Sequence, residues 1–130
     1  MESHIDRVGA PPAAVAGAIL GFFGVAAGAF GAHALEASLT ADQLHTFETA
    51  VRYQLIHALA LLAHAALFRV EGGSITTWSW RLLFGGTVAF SGSLYLLIWT
   101  GFSWLGPITP LGGLALLGGW LLMGIAASRR

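Results

Sequence analysis

Long apolar runs alternate with short polar breaks four times along this chain. From Ala13 to Leu35 no charged side chain appears, and about 20 apolar residues suffice to cross a hydrocarbon core of about 30 Å. A first span is therefore predicted over residues 13–35, entered through Pro11 and Pro12, which are tolerated at a helix start. The most polar connection, Glu36 to Phe47, follows. Within it Thr40-Ala-Asp-Gln43 fits a capping box, Thr40 being the N-cap and Gln43 reaching back, so a helix should begin near Ala41. Leu44, Phe47, Val51 and Leu55 then form an apolar stripe at helical spacing. This predicts a short interfacial helical segment that runs or bends into a second span over residues 50–68. After a loop from Arg69 to Arg81, no charged side chain occurs until Arg129. Two prolines and two glycines in Thr100-Gly-Phe-Ser-Trp-Leu-Gly-Pro-Ile-Thr-Pro110 divide that run. The resulting third and fourth spans cover residues 77–100 and 107–127.

The first span carries a second pattern. Gly17, Gly21, Gly24, Gly28 and Gly31 recur at steps of three and four, which places them on one helix face. Glycines so spaced let two backbones approach closely, and lipid supplies no hydrophobic drive to replace that packing. The face is either a seam against the second or fourth span or a contact between copies. Ala32-His33-Ala34 has the small-x-small form of a signal-peptide cleavage site. Signal-peptide apolar cores run about 7–15 residues, however, and this run is longer and glycine-rich, so it is taken as a span.

Composition agrees with this picture. The chain has 130 residues, 56% of them hydrophobic and 9% charged, against roughly 25% charged in a typical soluble domain. One domain of this length buries too little surface to hide so much apolar area from water, so lipid is its expected solvent. Net charge is zero and no basic cluster occurs, which argues against nucleic acid as a partner. There is no cysteine, hence no disulfide and no thiolate metal site. Charge placement sets the orientation. Arg7, Arg69, Arg81, Arg129 and Arg130 fall on the side shared by both ends of a four-span chain. Arg52 falls on the other, outnumbered by Glu36, Asp42 and Glu48. By the positive-inside rule both termini are expected in the cytoplasm.

Four stretches resemble a known family. Gly28-Ala-Phe-Gly-Ala-His-Ala-Leu35, Phe47-Glu-Thr-Ala-Val-Arg-Tyr-Gln-Leu-Ile-His-Ala-Leu59 and Gly92-Ser-Leu-Tyr-Leu-Leu97 are similar to the YgdD-like family of small inner-membrane proteins, as is Ile108-Thr-Pro-Leu-Gly-Gly113. The resemblance covers nearly the whole chain. It implies a four-helix integral membrane protein of the bacterial inner membrane, with a mitochondrial relative in animals. The family is a domain of unknown function, and the resemblance carries over no catalytic residue.

Candidate chemistry gathers in Phe47 to His57. Glu48 and Arg52 are four apart in the order that favours pairing on one helix face. Tyr53 and His57 share that spacing, and His64 lies two turns further on. His33 should reach the same boundary from the end of the first span. A polar cluster of His33, Glu48, Arg52, Tyr53, Gln54 and His57 is thus expected near the outer surface, with His64 deeper. Three readings follow. The cluster is hydrogen-bonding glue between the first two helices; or a proton or cation path using His57 and His64, whose side chains titrate in a suitable range; or a metal site of His33, His57 and Glu48, whose spacing is not diagnostic. Against transport, no carboxylate is expected inside the first or third span. Enzyme chemistry has the weakest case. Ser91, Ser93 and Thr87 have no base placed beside them by any motif, and no phosphate loop, dinucleotide fingerprint or metalloprotease motif occurs. Trp120 is assigned to packing. The sequence therefore points to an all-α bundle of four transmembrane helices, not an enzyme and without a cofactor or metal. Its expected partners are the lipid bilayer and either copies of itself or a larger membrane complex.

Overall fold

A computed structural model describes residues 11–69 and 72–130, with Ala32 described by its backbone alone. Arg7 of the polar lead and Glu71 of the connection between the second and third spans lie outside the described residues. The described residues form an all-helical fold, and four segments among them are long and apolar enough to cross a membrane: Pro12–Gly31, Ala41–Leu67, Ser74–Thr100 and Ser103–Ser128. The first begins as α1 (Pro12–Ala26) and widens into a π-helical turn at Ala27–Gly31, after which comes the short α2 (Ala32–Leu35). The small residues Ala27, Gly28, Ala29 and Gly31 leave that wider turn uncrowded.

The second span is one uninterrupted helix, α3 (Ala41–Leu67). Thr40 Oγ1 accepts the Gln43 amide at 3.2 Å, and Gln43 Oε1 accepts the Thr40 amide at 3.0 Å. Two otherwise orphaned donors are thereby satisfied at the helix start. The interfacial segment and the span expected after it thus form a single rod. Helix α4 (Ser74–Thr100) stops at Gly101, whose φ of 67° is open to glycine at no steric cost. A short 3₁₀ turn, Ser103–Leu105, leads into α5 (Ile108–Ser128).

Helix α3 lies between α1 and α4, and α4 lies between α3 and α5. The core draws on all four spans: Ala13, Ala16, Leu20, Leu61, Leu83 and Met123 belong to one buried cluster. The glycines of α1 face α3 in antiparallel register. A Cβ at Gly17 would meet the Ala58 carbonyl at 2.8 Å, one at Gly24 would meet Leu55 at 2.7 Å, and one at Gly31 would meet the Phe47 ring at 2.7 Å. Helices α4 and α5 approach still more closely. A Cβ on Gly112 would stand 2.5 Å from the Phe90 nitrogen and 3.0 Å from the Gly86 carbonyl oxygen. In lipid, where apolar side chains gain nothing from leaving the solvent, contact of this kind is what holds helices together.

Two tryptophans mark the depth scale. Trp78 and Trp99 are exposed on α4, and at 1.5 Å per residue their separation is about 31 Å, the thickness of a hydrocarbon core. Arg81 lies over the rings of Trp78 and Trp80, and Arg130 lies 5.7 Å from the Phe68 ring centroid. The arginines and rings at that end belong to one headgroup level. Trp104, also exposed, follows Trp99 across the turn at the other end.

The α4–α5 contact generates a test. Gly112→Ala puts a methyl group against backbone on both sides, where nothing can rotate away, and should cost about 1–3 kcal/mol as an overpacked core does. Gly85→Ala, with nothing within 4 Å of the new Cβ, should stay within about 0.5 kcal/mol of the parent. Thermal unfolding of both variants in the same mild detergent checks the difference.

Candidate functional site

The polar groups inside the bundle sit on α3 and α4, and most of them bridge neighbouring helices. Gln54 is buried. Its Nε2 donates to the Leu20 carbonyl of α1 at 2.9 Å, and its Oε1 accepts the Tyr95 hydroxyl of α4 at 2.8 Å. One amide therefore ties three helices. A turn away, Ser91 Oγ of α4 donates to the Ala50 carbonyl at 2.8 Å. Farther along α4, Ser93 and Thr109 share a hydroxyl bond of 2.7 Å that joins α4 to α5.

His57 makes the link from α3 to α5. Its Nδ1 lies 2.7 Å from the Tyr53 carbonyl oxygen, and its Nε2 lies 3.1 Å from Trp120 Nε1. A carbonyl can only accept and an indole N–H can only donate. The ring must therefore carry its proton on Nδ1 and present a bare Nε2 to Trp120. His64 has the opposite arrangement. Ser79 Oγ donates to the Thr76 carbonyl at 2.7 Å, so the same oxygen accepts from His64 Nε2 at 2.7 Å. That nitrogen also lies 3.1 Å from the Thr76 carbonyl, which confirms it as the protonated one. Each histidine is committed to a different neighbour. Among the described residues no buried side-chain nitrogen or oxygen lacks a hydrogen bond.

The seven residues singled out in the sequence are not brought into one cluster. Gln54, His57 and His64 turn inward, toward α1 and α4, α5, and the start of α4 respectively. Tyr53 stacks on Phe90 with ring centroids 4.3 Å apart. His33 is exposed on α2, away from the interior network. Glu48 and Arg52 are exposed too, and no hydrogen bond or ion pair joins them to any other described residue. Their depth also differs from the expected one. The Ser91–Ala50 bond and the Tyr53–Phe90 stack put Arg52 level with the middle of α4, about 13 Å below Trp99 at helical rise. Polarity alone had suggested the outer boundary; the register against α4 sets the actual level. Among the described residues no three His, Cys, Asp or Glu side chains converge on a metal position, so His33, Glu48 and His57 do not form one. Nor is any Asp, Glu, Lys or Arg buried among them.

Tyr95 and Ser79 are the participants that sequence reasoning missed, whereas Ser91 and Trp120, read there as packing residues, hold neighbouring helices by hydrogen bonds. Trp120 also walls a groove of about 580 Å³ that runs from Pro110 past Gly113 to His57, lined by Tyr53 and Phe90 on its other side. The groove is apolar apart from the His57–Trp120 contact and the Tyr53 hydroxyl.

The family described as "Protein of unknown function (DUF423)" matches residues 27–113. The chain belongs to this family. The DUF423 match begins at the π turn, takes in Gln54, His57, His64 and Tyr95, and ends before Trp120. The UPF0382 membrane protein YwdK of Bacillus subtilis is 46% identical over 115 residues, 87% of this chain and 93% of that protein. The UPF0382 membrane protein SH2409 of Staphylococcus haemolyticus is 41% identical over 109 residues, 84% and 88% of the two chains. The UPF0382 inner membrane protein YgdD of Escherichia coli K12 is 41% identical over 112 residues, 86% of each chain. No solved structure matches. With four membrane-length helices and relatives named as membrane proteins, this DUF423 chain is an integral membrane protein.

Removing single bonds from this network should have measurable, coupled effects. Trp120→Phe keeps the ring and deletes the donor to His57, which should cost about 0.6–1.7 kcal/mol, the range for hydrogen bonds between membrane helices. Gln54→Leu and Tyr95→Phe share one bond, so the double variant should lose less than the sum of the singles, by about 0.5 kcal/mol or more. Detergent unfolding of the four members of that cycle checks the coupling, and strict additivity would remove the bond from the account.

Proposed function

We propose that the protein is a non-catalytic component of the bacterial inner membrane that acts by packing, against copies of itself or within a larger membrane complex. The observation that carries this reading is that the interior polar groups have fixed partners, most of them on a neighbouring helix. Gln54, His57, His64, Ser79, Ser91 and Tyr95 each hold a neighbouring helix. Nucleophilic chemistry needs a group poised beside a base. Of the buried hydroxyls of α4, Thr87, Ser91 and Ser93 bond to backbone carbonyls or to Thr109, and Ser79, the one beside a histidine, gives its proton to the Thr76 carbonyl and accepts from His64. The inner-membrane name of the Escherichia coli relative supports the compartment. Both termini are placed in the cytoplasm. The support is the arginine count: Arg7, Arg69, Arg81, Arg129 and Arg130 fall on one side, and the connections on the other carry no Lys or Arg, Arg52 lying within the second span.

The rival reading is a small proton or cation conductor that uses His57 and His64. The two rings are seven residues apart on α3, about 10 Å along the axis. Each is held by a separate partner, and in neither network does one ring reach the other. Extraction from native membranes in mild detergent should give a particle larger than one 13.6 kDa chain in its micelle, with a fixed subunit ratio. Proteoliposomes should show no pH-dependent flux above empty liposomes. A flux that His57→Gln abolishes while sparing the fold would replace the packing reading with the conductor.

A further inference from the structure

The outward face of α3 is anomalous for a surface in lipid. Its exposed residues are His45, Glu48, Arg52, Ile56, Leu59 and Ala63, at steps of three and four. The register against α4 carries this face from just below the Trp99 level to well past the bilayer centre. Glu48 and Arg52 lie within the depth of the hydrocarbon layer, exposed and unpaired among the described residues. Ionisable side chains at such depth normally face a bundle interior or pair with one another. Here the bundle interior lies on the opposite side of the helix.

We propose that this face of α3 is the contact with a second copy of the chain, in which Glu48 of each copy pairs with Arg52 of the other. The proposal rests on the packing reading above and names its partner. Three features select a second copy over a different protein. Opposite charges one helical turn apart become two reciprocal pairs under a two-fold axis, because the same patch meets itself. Both copies insert in the same sense, so the axis runs along the membrane normal and the two α3 helices are parallel. Residues at steps of three and four then form the seam of two helices crossing at a small angle. Finally, a hollow of about 340 Å³ beside the pair, lined by Gly28, Phe47, Val51 and Leu55 as well as Glu48 and Arg52, leaves room for an incoming side chain. The glycine face of α1 is not available for this role, since it is filled by α3 within the chain.

The absence of cysteine makes single-cysteine cross-linking clean. Leu59 is 68% exposed on the α3 face and Leu121 is 65% exposed on α5. In native membranes under mild oxidant, Leu59→Cys should give a disulfide-linked dimer and Leu121→Cys should not. In the Leu59→Cys background, Glu48→Arg and Arg52→Glu should each cut the cross-linked fraction about fivefold or more, and the double exchange should restore it, as a paired interaction requires. No dimer at Leu59→Cys, or equal cross-linking at both positions, overturns the contact whether or not the charge variants insert. A double exchange that inserts but recovers nothing overturns the pairing. A large native particle without the Leu59 cross-link would sink this contact and leave the packing reading standing. A solitary chain in that measurement would remove both.

Discussion

The amide of Gln54 is the constraint from which the arrangement of three helices follows. In hydrocarbon a side-chain amide cannot turn to water, so its donor and its acceptor both need partners inside the protein. The Leu20 carbonyl takes the donor and the Tyr95 hydroxyl supplies the acceptor's proton. Because a carbonyl cannot donate, the amide has one orientation and α1 and α4 each have one place beside α3. Sliding α1 by a turn would break the Leu20 bond and at the same time move Gly24 off Leu55 and Gly17 off Ala58. Hydrogen bonding and close packing thus specify the same register, which is the mutual consistency that a single well-defined native state requires.

The two kinds of interaction contribute differently. Hydrogen bonds between membrane helices average only about 0.6 kcal/mol, because partners are also found in the separated state. The close glycine contacts hold much of the bundle together by dispersion over many atoms, each pair worth about 0.1–0.2 kcal/mol. Packing of small residues against a smooth helix is nevertheless poor at choosing a register, since several offsets bring glycine to the seam. The polar contacts choose among them. His57 and His64 show the same principle in their protons. Tyr53 and Trp120 require Nδ1–H in one ring, and Ser79 with Thr76 requires Nε2–H in the other.

Much of the fold was legible because its signals are local. Uncharged runs mark the spans, the Thr40–Gln43 box marks the start of α3, and Gly101 ends α4 inside the stretch of prolines and glycines that divides the last two spans. The glycine period of α1 could be seen, but not which helix it faced, because a spacing identifies a face and not its neighbour. The site was less legible for a related reason. Trp120 meets His57 across 63 residues of chain, and Ser91 bonds to the backbone of Ala50, a group that every residue carries. Neither contact leaves a pattern in sequence. Depth was misjudged because Arg52 was taken to sit where arginines are comfortable. Its level is set by the packing of Ala50 and Tyr53 against Ser91 and Phe90, which hydropathy does not record.

The distribution of polarity across the bundle then constrains what the protein can do. A conductor places ionisable groups where an ion passes and shields them from lipid. Here the buried polar set consists of amide, hydroxyl and imidazole groups, each with a fixed partner. The carboxylate and guanidinium of α3 point away from it. The interior is what a stable scaffold needs, and the unresolved electrostatic cost sits on the outside. A surface that is costly in lipid is relieved only when something covers it, and a charge on one helix is most cheaply covered by the opposite charge on another. On the packing reading proposed above, the function of this membrane protein lies at its outer face, in what α3 meets.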